Sequence, residues 1–332
     1  MFEVAIGVVD VDAAIHHWEQ FGFAVQAKGA LERSAAQALY GTDSAVQSYR
    51  MGHQHADKGL VRLMQWERPI ADGLQMAPLR TPGNRWTVQH TDDLLQVWTH
   101  AEVARRQGKP IQVLGPVLNA RIAAPVAAQQ PFVAPVPASY NLQIFQPQWQ
   151  QIFMQRQGID TSRLGSLATS GLFRASEVCH YALVVHTGDL SCFDFYDQVL
   201  GLNRTTQRRF EYEVASPACE MLGLRPSEAF TEIDFDDPRA QDDTARSTAG
   251  RLRVFAIETT AGDEQRIDTR PGCLGYSMYT VATNNIETLR HEVSKTRSAT
   301  VGPITADEFG QRAFMFRAPD GFCWAAIDQP AR

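Results

Sequence analysis

Residues 177–204 read EVCHYALVVHTGDLSCFDFYDQVLGLNR, and the order of patterns within them decides the fold. From Val178 to Val185 the residues alternate and include β-branched side chains, which predicts a strand. Thr187-Gly188-Asp189 is a polar corner. Beyond it Leu190, Phe193, Tyr196 and Leu200 fall at helical spacing, and Gly201 supplies a stop. Leu202-Asn203-Arg204 then opens a second alternation, so the predicted helix hands the chain back to a sheet. His180 stands on the first strand, where a side chain can point into whatever the sheet encloses.

The same unit occurs at the N-terminus. Residues 3–9 (EVAIGVV) alternate, Asp10 turns the corner, and a predicted helix through Ile15, Trp18 and Phe21 stops at Gly22. The interval from Asp10 to Gly22 equals that from Asp189 to Gly201, and apolar residues flank both glycines, so one unit is repeated. AVQSYRM (45–51) and GLVRLMQW (59–66) add strands to the first copy, and the Pro-, Gly- and Arg-rich residues 67–85 read as a connection. Another unit opens at Trp86-Thr87-Val88-Gln89-His90 and turns at Asp92-Asp93 into a helix ending at Gly108. It continues through Gly115-Pro116-Val117, a strand around Phe132-Val133 and a last strand from Tyr140 to Phe145. Its echo lies near the C-terminus: strand Leu274 to Val281, helix from Asn285 to about Lys295, Gly302-Pro303-Ile304, and strands Arg312 to Arg317 and Gly321 to Ile327.

These patterns predict an α+β protein of four βαβββ modules. An N-terminal pair is expected over residues 1–146 (modules 1–67 and 85–146) and a Gln- and Ser-rich linker over 147–176. A C-terminal pair follows over 177–332 (modules 177–262 and 273–328), and it is expected to carry the site. The length of 332 residues suits about two domains at roughly 100–200 residues each. A net charge of −6 offers no field for phosphate backbones or anionic lipid, so nucleic acid and membrane are excluded as expected partners. The N-terminus lacks the basic start of a signal peptide, which predicts a cytoplasmic protein. Five widely spaced cysteines with no C-x-x-C pair read as reduced, mostly buried thiols. No Walker-type loop, G-x-G-x-x-G or G-x-S-x-G is present, so nucleotide cofactors and serine-hydrolase chemistry have no support.

HYALVVHTGDLSCFDFYDQVLGL (180–202) resembles the opening of a module of the vicinal oxygen chelate superfamily, and FGQRAFMFRAPDGFCWAAID (309–328) resembles the end of one, with its Pro319-Asp320-Gly321 turn. That superfamily includes glyoxalase I, extradiol ring-cleaving dioxygenases and bleomycin-binding proteins. The resemblance implies modules that pair into curved sheets around a cavity. It also implies metal ligands at the start of first strands and in last strands, commonly two His and one or two Glu. Carried over position by position, His180 matches the first-strand ligand of the third module, and Glu258, in RLRVFAIETT, is placed on its last strand. The other positions depart: Tyr276 and Ala325 in the fourth module, Glu3 and an apolar residue near Leu63 in the first, and Trp86 with Gln143 in the second.

The resemblance therefore implies a small-molecule enzyme with His180, Glu258 and Tyr276 as catalytic residues and with Trp86, His90, Gln143, Tyr279 and Trp324 lining the pocket. Proton transfer, isomerase or lyase chemistry on a carbonyl or phenolic compound is the expected activity. His180 and Glu258 form an incomplete metal set, so a divalent ion (Fe, Mn, Zn or Ni) and a metal-free site both stand as expectations. An Fe(II)- or Mn(II)-dependent extradiol dioxygenase and a non-catalytic drug binder are the alternatives. A small molecule is the expected partner, with a homodimer allowed.

Each residue also has a plainer reading. A buried Glu258 needs a partner, and Arg253 or Arg317 would serve as well as a metal. Tyr276 can be a hydrogen-bonded core residue. His53 and His55, beside Asp57, could bind metal at a surface. His16, His17, His100 and His291 read as helix surface or packing residues. The acids Asp234, Asp236, Asp237, Asp242 and Asp243 read as a solvated loop and not as a calcium site.

Overall fold

The computed structural model describes residues 1–54, 56–119, 137–213, 217–238, 249–258, 267–296 and 299–329. The first module comprises β1 (Glu3–Gly7), α1 (Val11–Glu19), β2 (Phe23–Leu31), α2 (Arg33–Tyr40), β3 (Val46–His53) and β4 (Leu60–Trp66). The second comprises β5 (Gly83–Thr91), α3 (Leu94–Arg106), β6 (Gln112–Leu118), β7 (Ala138–Phe145) and β8 (Gln150–Gln157). The third comprises β9 (Ala175–His186), α4 (Asp194–Gln198), β10 (Asn203–Glu211), α5 (Pro217–Leu222), β11 (Ala229–Asp236) and β12 (Arg251–Glu258). The fourth comprises β13 (Gly275–Thr283), α6 (Ile286–Lys295), β14 (Thr300–Val301), β15 (Thr305–Ala306), β16 (Arg312–Arg317) and β17 (Cys323–Asp328).

The polar corners act as helix caps. Asp10 accepts a hydrogen bond from the Ala13 amide, Asp93 from Gln96 and Asn285 from Thr288, each satisfying an amide that the first helical turn leaves free. Asp189 accepts from the Ser191 amide in the same way, ahead of a 3₁₀ turn that leads into α4. The two glycine stops have positive φ, 83° at Gly22 and 70° at Gly201, which other residues adopt at a cost.

The modules pair differently from their order in the chain. One sheet runs β14-β16-β17-β13-β1-β4-β3-β2, with β15 beside β16, and so joins the first module to the fourth. The other runs β10-β11-β12-β9-β5-β8-β7-β6 and joins the second to the third. This corrects the expected N-terminal and C-terminal pairs. The connection was also drawn too long, because β8 lies within 147–176 and pairs in parallel with β5 as the second module's last strand. The expected strand around Phe132-Val133 lies outside the described residues.

The two sheets pack back to back. One apolar core takes Val4, Ile6, Tyr276 and Tyr279 from the first sheet with Tyr181, Leu183, Leu252 and Val254 from the second. Burying each such side chain contributes about 1.5–3 kcal/mol. Tyrosine hydroxyls fasten the layers: Tyr181 donates to the Leu60 carbonyl, Tyr279 to Ala182 and Tyr276 to Gln150, each at 2.7 Å. The outer faces then differ. That of the first sheet is filled by Ala36, Leu39 and Tyr40 of α2. That of the second sheet wraps around a cavity. Among the described residues no helix is long and apolar enough to cross a membrane.

Candidate functional site

The cavity within the second sheet has a volume of about 1180 Å³. Its apolar part is built by alternation: Trp86 and Val88 from β5, Ile152 and Met154 from β8, and Phe255 from β12. Arg156, at the end of β8, and Arg251 and Arg253, on β12, are the charged residues of the central strands, while Arg208, Glu211, Glu220 and Glu232 are among those that line the cavity from outside them. Asn141 and Gln143 enter from β7.

His180 lines this cavity because β9 departs from strict alternation. Val88 pairs with His180 and Gln89 with Val178, so Cys179 is a bulge. Val178 and Tyr181 consequently face the back-to-back core, while His180 faces the hollow. No hydrogen bond ties its ring to another described residue. Burial, followed by the guanidiniums of Arg253, Arg251 and Arg156, holds the imidazole well below its usual pKa, so it is neutral at pH 7.

Two of these arginines are compensated and one is not. Arg253 donates to Asp234 at 2.7 and 2.8 Å and lies 3.7 Å from Glu232. Arg251 donates to Asp236 at 2.5 and 2.9 Å and to Asp234 at 3.1 Å. Burial opposes their charge, but these carboxylates more than offset it and raise both pKa values. Asp234 and Asp236 are thus buried partners in the cavity wall and not part of a solvated loop; Asp242 and Asp243 lie outside the described residues. Arg156 has no carboxylate partner among the described residues, and its buried Nε donates to nothing. Burial and the neighbouring Arg253 and Arg251 lower its pKa.

Of the residues expected at the site, the structure brings together His180, Trp86 and Gln143. Glu258 is elsewhere. It lies on the face of β12 opposite Arg253, half-buried, and accepts from Arg209 at 2.7 and 2.9 Å. Those bonds hold its pKa below the ordinary value. Tyr276, Tyr279 and Trp324 belong to the core between the sheets. A register shift in β13 opposite Ala5 and Ile6 puts Tyr276 on the same face as Tyr279, away from any hollow. His90 shares the face of Trp86 and Val88 but is buried beyond the cavity lining, its amide bonded to the Ser176 hydroxyl. His53 is a buried structural residue bonded to the Ala175 carbonyl, and His55 lies outside the described residues. The cavity residues that the sequence reading did not place there are Arg156 and the Arg251–Arg253 pair. The alternation Ile152, Met154, Arg156 in QIFMQRQ was the available signal.

The donor set does not fit the metal that the resemblance implies. The four central strands present one imidazole to the cavity, together with three guanidiniums and apolar side chains. Among the described residues no group of three or more His, Cys, Asp or Glu could hold an ion. Arg156, without a carboxylate partner among the described residues, favours an anion in this cavity over a divalent cation.

The first sheet shows how the equivalent region can be closed. Glu3 on β1 accepts from Arg50 and Arg62, both at 2.7 Å through Nε, and Arg62 also reaches Glu308 at 3.2 Å. Tyr40 of α2 donates to Glu308 at 2.8 Å. The space that is open in one sheet is thus filled by a helix and an ion network in the other.

No protein-family model matches the sequence, and neither does any curated protein. Among solved structures, glyoxalase I from Zea mays superposes with a TM-score of 0.54 at 14% identity, covering 99% of this chain and 92% of that one. A provisionally assigned dioxygenase from Bacillus subtilis superposes with a TM-score of 0.53 at 9% identity, covering 100% of this chain and 86% of that one.

Proposed function

We propose, from the premise that this chain has the vicinal oxygen chelate fold, that it is a small-molecule enzyme in which His180 moves a proton beside a carbonyl group. The observation that carries the reading is a neutral imidazole, without a hydrogen bond to any described residue, opening into a large cavity between guanidinium groups. A neutral imidazole can accept a proton, and the cations beside it stabilise the negative charge that the abstraction creates.

In the proposed step the carbonyl carbon's neighbour loses a proton to His180, and the C–H electron pair shifts to make an enolate. The carbonyl oxygen takes the charge. Arg253 is placed to meet it, since Asp234 occupies Nε and Nη2 and leaves Nη1 without a partner among the described residues. Return of the proton from the imidazolium to the enolate oxygen gives the enol and completes a keto–enol isomerisation. Trp86, Phe210 and Phe255 cover the apolar body of the substrate and exclude water. Glu258 has no part in this scheme. Ring-cleaving dioxygenase chemistry is disfavoured by the donor set, which among the described residues groups no second imidazole and carboxylate with His180.

The test is deuterium exchange from solvent into enolisable oxo compounds, followed by NMR with wild-type protein and His180→Gln. Proton transfer by a positioned side chain contributes roughly 10²–10⁴-fold, so exchange should fall by at least about a hundredfold in the variant. Equal exchange by the two proteins would overturn the role of His180. Binding without any exchange would favour a carrier or sequestering protein in the same cavity.

A further inference from the structure

We infer that Arg156 is the anchor for a carboxylate, so that the substrate class is an oxo acid with an apolar, planar body. The inference rests on the proposed function for its carbonyl half only. Strand order places β5 between β8 and β9, so Arg156 approaches His180 from one side while Arg251 and Arg253 approach from β12 on the other. The cationic groups on the β12 side are matched by Asp234 and Asp236. The one on the β8 side is matched by nothing among the described residues, although its Nε is buried.

A half-buried guanidinium whose Nε is buried and unbonded is costly, and a carboxylate is the ligand that satisfies its fork geometry. The neighbouring strand adds polar groups suited to such a ligand. Ser139, the register partner of Arg156, is fully buried with an unpartnered hydroxyl. Asn141, two residues along β7, lines the cavity with its amide. Val88, Ile152 and Met154 lie between this polar end and His180 and form the apolar contact for the ligand's body. A molecule spanning the site would therefore set its carboxylate on Arg156 and its carbonyl within reach of His180 and Arg253.

Isothermal titration with phenylacetate and 4-acetylphenylacetate, whose ring separates carboxylate from carbonyl, each compared with its amide, tests this on wild type, Arg156→Gln, Arg156→Lys and His180→Gln. Wild type should bind the acids at least about tenfold more tightly than the amides, as expected for a lost charged hydrogen bond. Arg156→Gln should abolish that preference, Arg156→Lys should retain part of it, and His180→Gln should keep it whole. Failure of wild type to bind either acid, equal binding of acid and amide, or a preference that survives Arg156→Gln would overturn the assignment. If Arg156→Gln does not fold, an acid preference in Arg156→Lys as strong as in wild type overturns it, because a point charge cannot replace a bidentate fork. A preference that follows Arg156 in protein without exchange activity would leave the carboxylate site standing and remove the proposed proton transfer.

Discussion

His180 is neutral because burial disfavours the imidazolium, and the guanidiniums of Arg253, Arg251 and Arg156 add to that penalty. Its folded pKa is depressed, so the unfolded chain takes up the proton first as pH falls. Above the ordinary histidine range both states are neutral. Below it, folding stability declines until the folded-state pKa is reached. For activity the consequence is a base that stays competent under mildly acidic conditions. The rate should therefore hold level from pH 7 to below 6.5, with its acid limb displaced downward. Arg253→Gln removes the first of the repulsive charges, so the imidazole pKa should rise toward 6.5 in an NMR titration of the His180 ring. An unchanged or lower value in the variant would show that the guanidinium does not set the protonation state.

At the scale of the element, the difference between the two sheets comes down to α2 and the ion network beneath it. Glu3, Arg62 and Glu308 are each less than one-tenth exposed, so their charges are held by one another and not by water. Removing one member leaves the rest buried and uncompensated, a loss of about 3–5 kcal/mol. Arg62→Met should therefore lower stability by that amount in urea unfolding, since Glu3 and Asp307 would then keep only Arg50, and Glu308 would lose the cation that Arg62 provides. The acid preference of the cavity in the other sheet should be untouched in the folded fraction. A loss below about 1 kcal/mol would mean that the network contributes little beyond filling space.

At the scale of the molecule, the crossed pairing of modules makes the fold depend on both ends of the chain. β1 bonds to β13 and β5 to β9, so each sheet draws its two central strands from opposite halves. A fragment of residues 1–158 would expose the inner edges of β1 and β5, and one of residues 175–332 would expose those of β9 and β13. Neither should give dispersed amide NMR signals alone, and mixing them should restore the spectrum. A fragment that folds by itself as a monomer would contradict this account of what holds the sheets together.

The modules, their corner caps and their glycine stops were legible in the chain, because helical and strand periodicity are local properties, as Asp10 to Gly22 and Asp189 to Gly201 illustrate. His180 was legible through its position in that repeated unit. Glu258, Tyr276, Tyr279 and Trp324 were misplaced for a different reason. Which face a strand residue occupies depends on bulges such as those at Cys179 and Ser277, and which modules share a sheet depends on long-range pairing. Neither leaves a periodic trace. Only the tertiary structure could bring Arg156, from a stretch that reads as linker, to the same hollow as His180 and Arg253, because backbone pairing across some 100 residues puts them there.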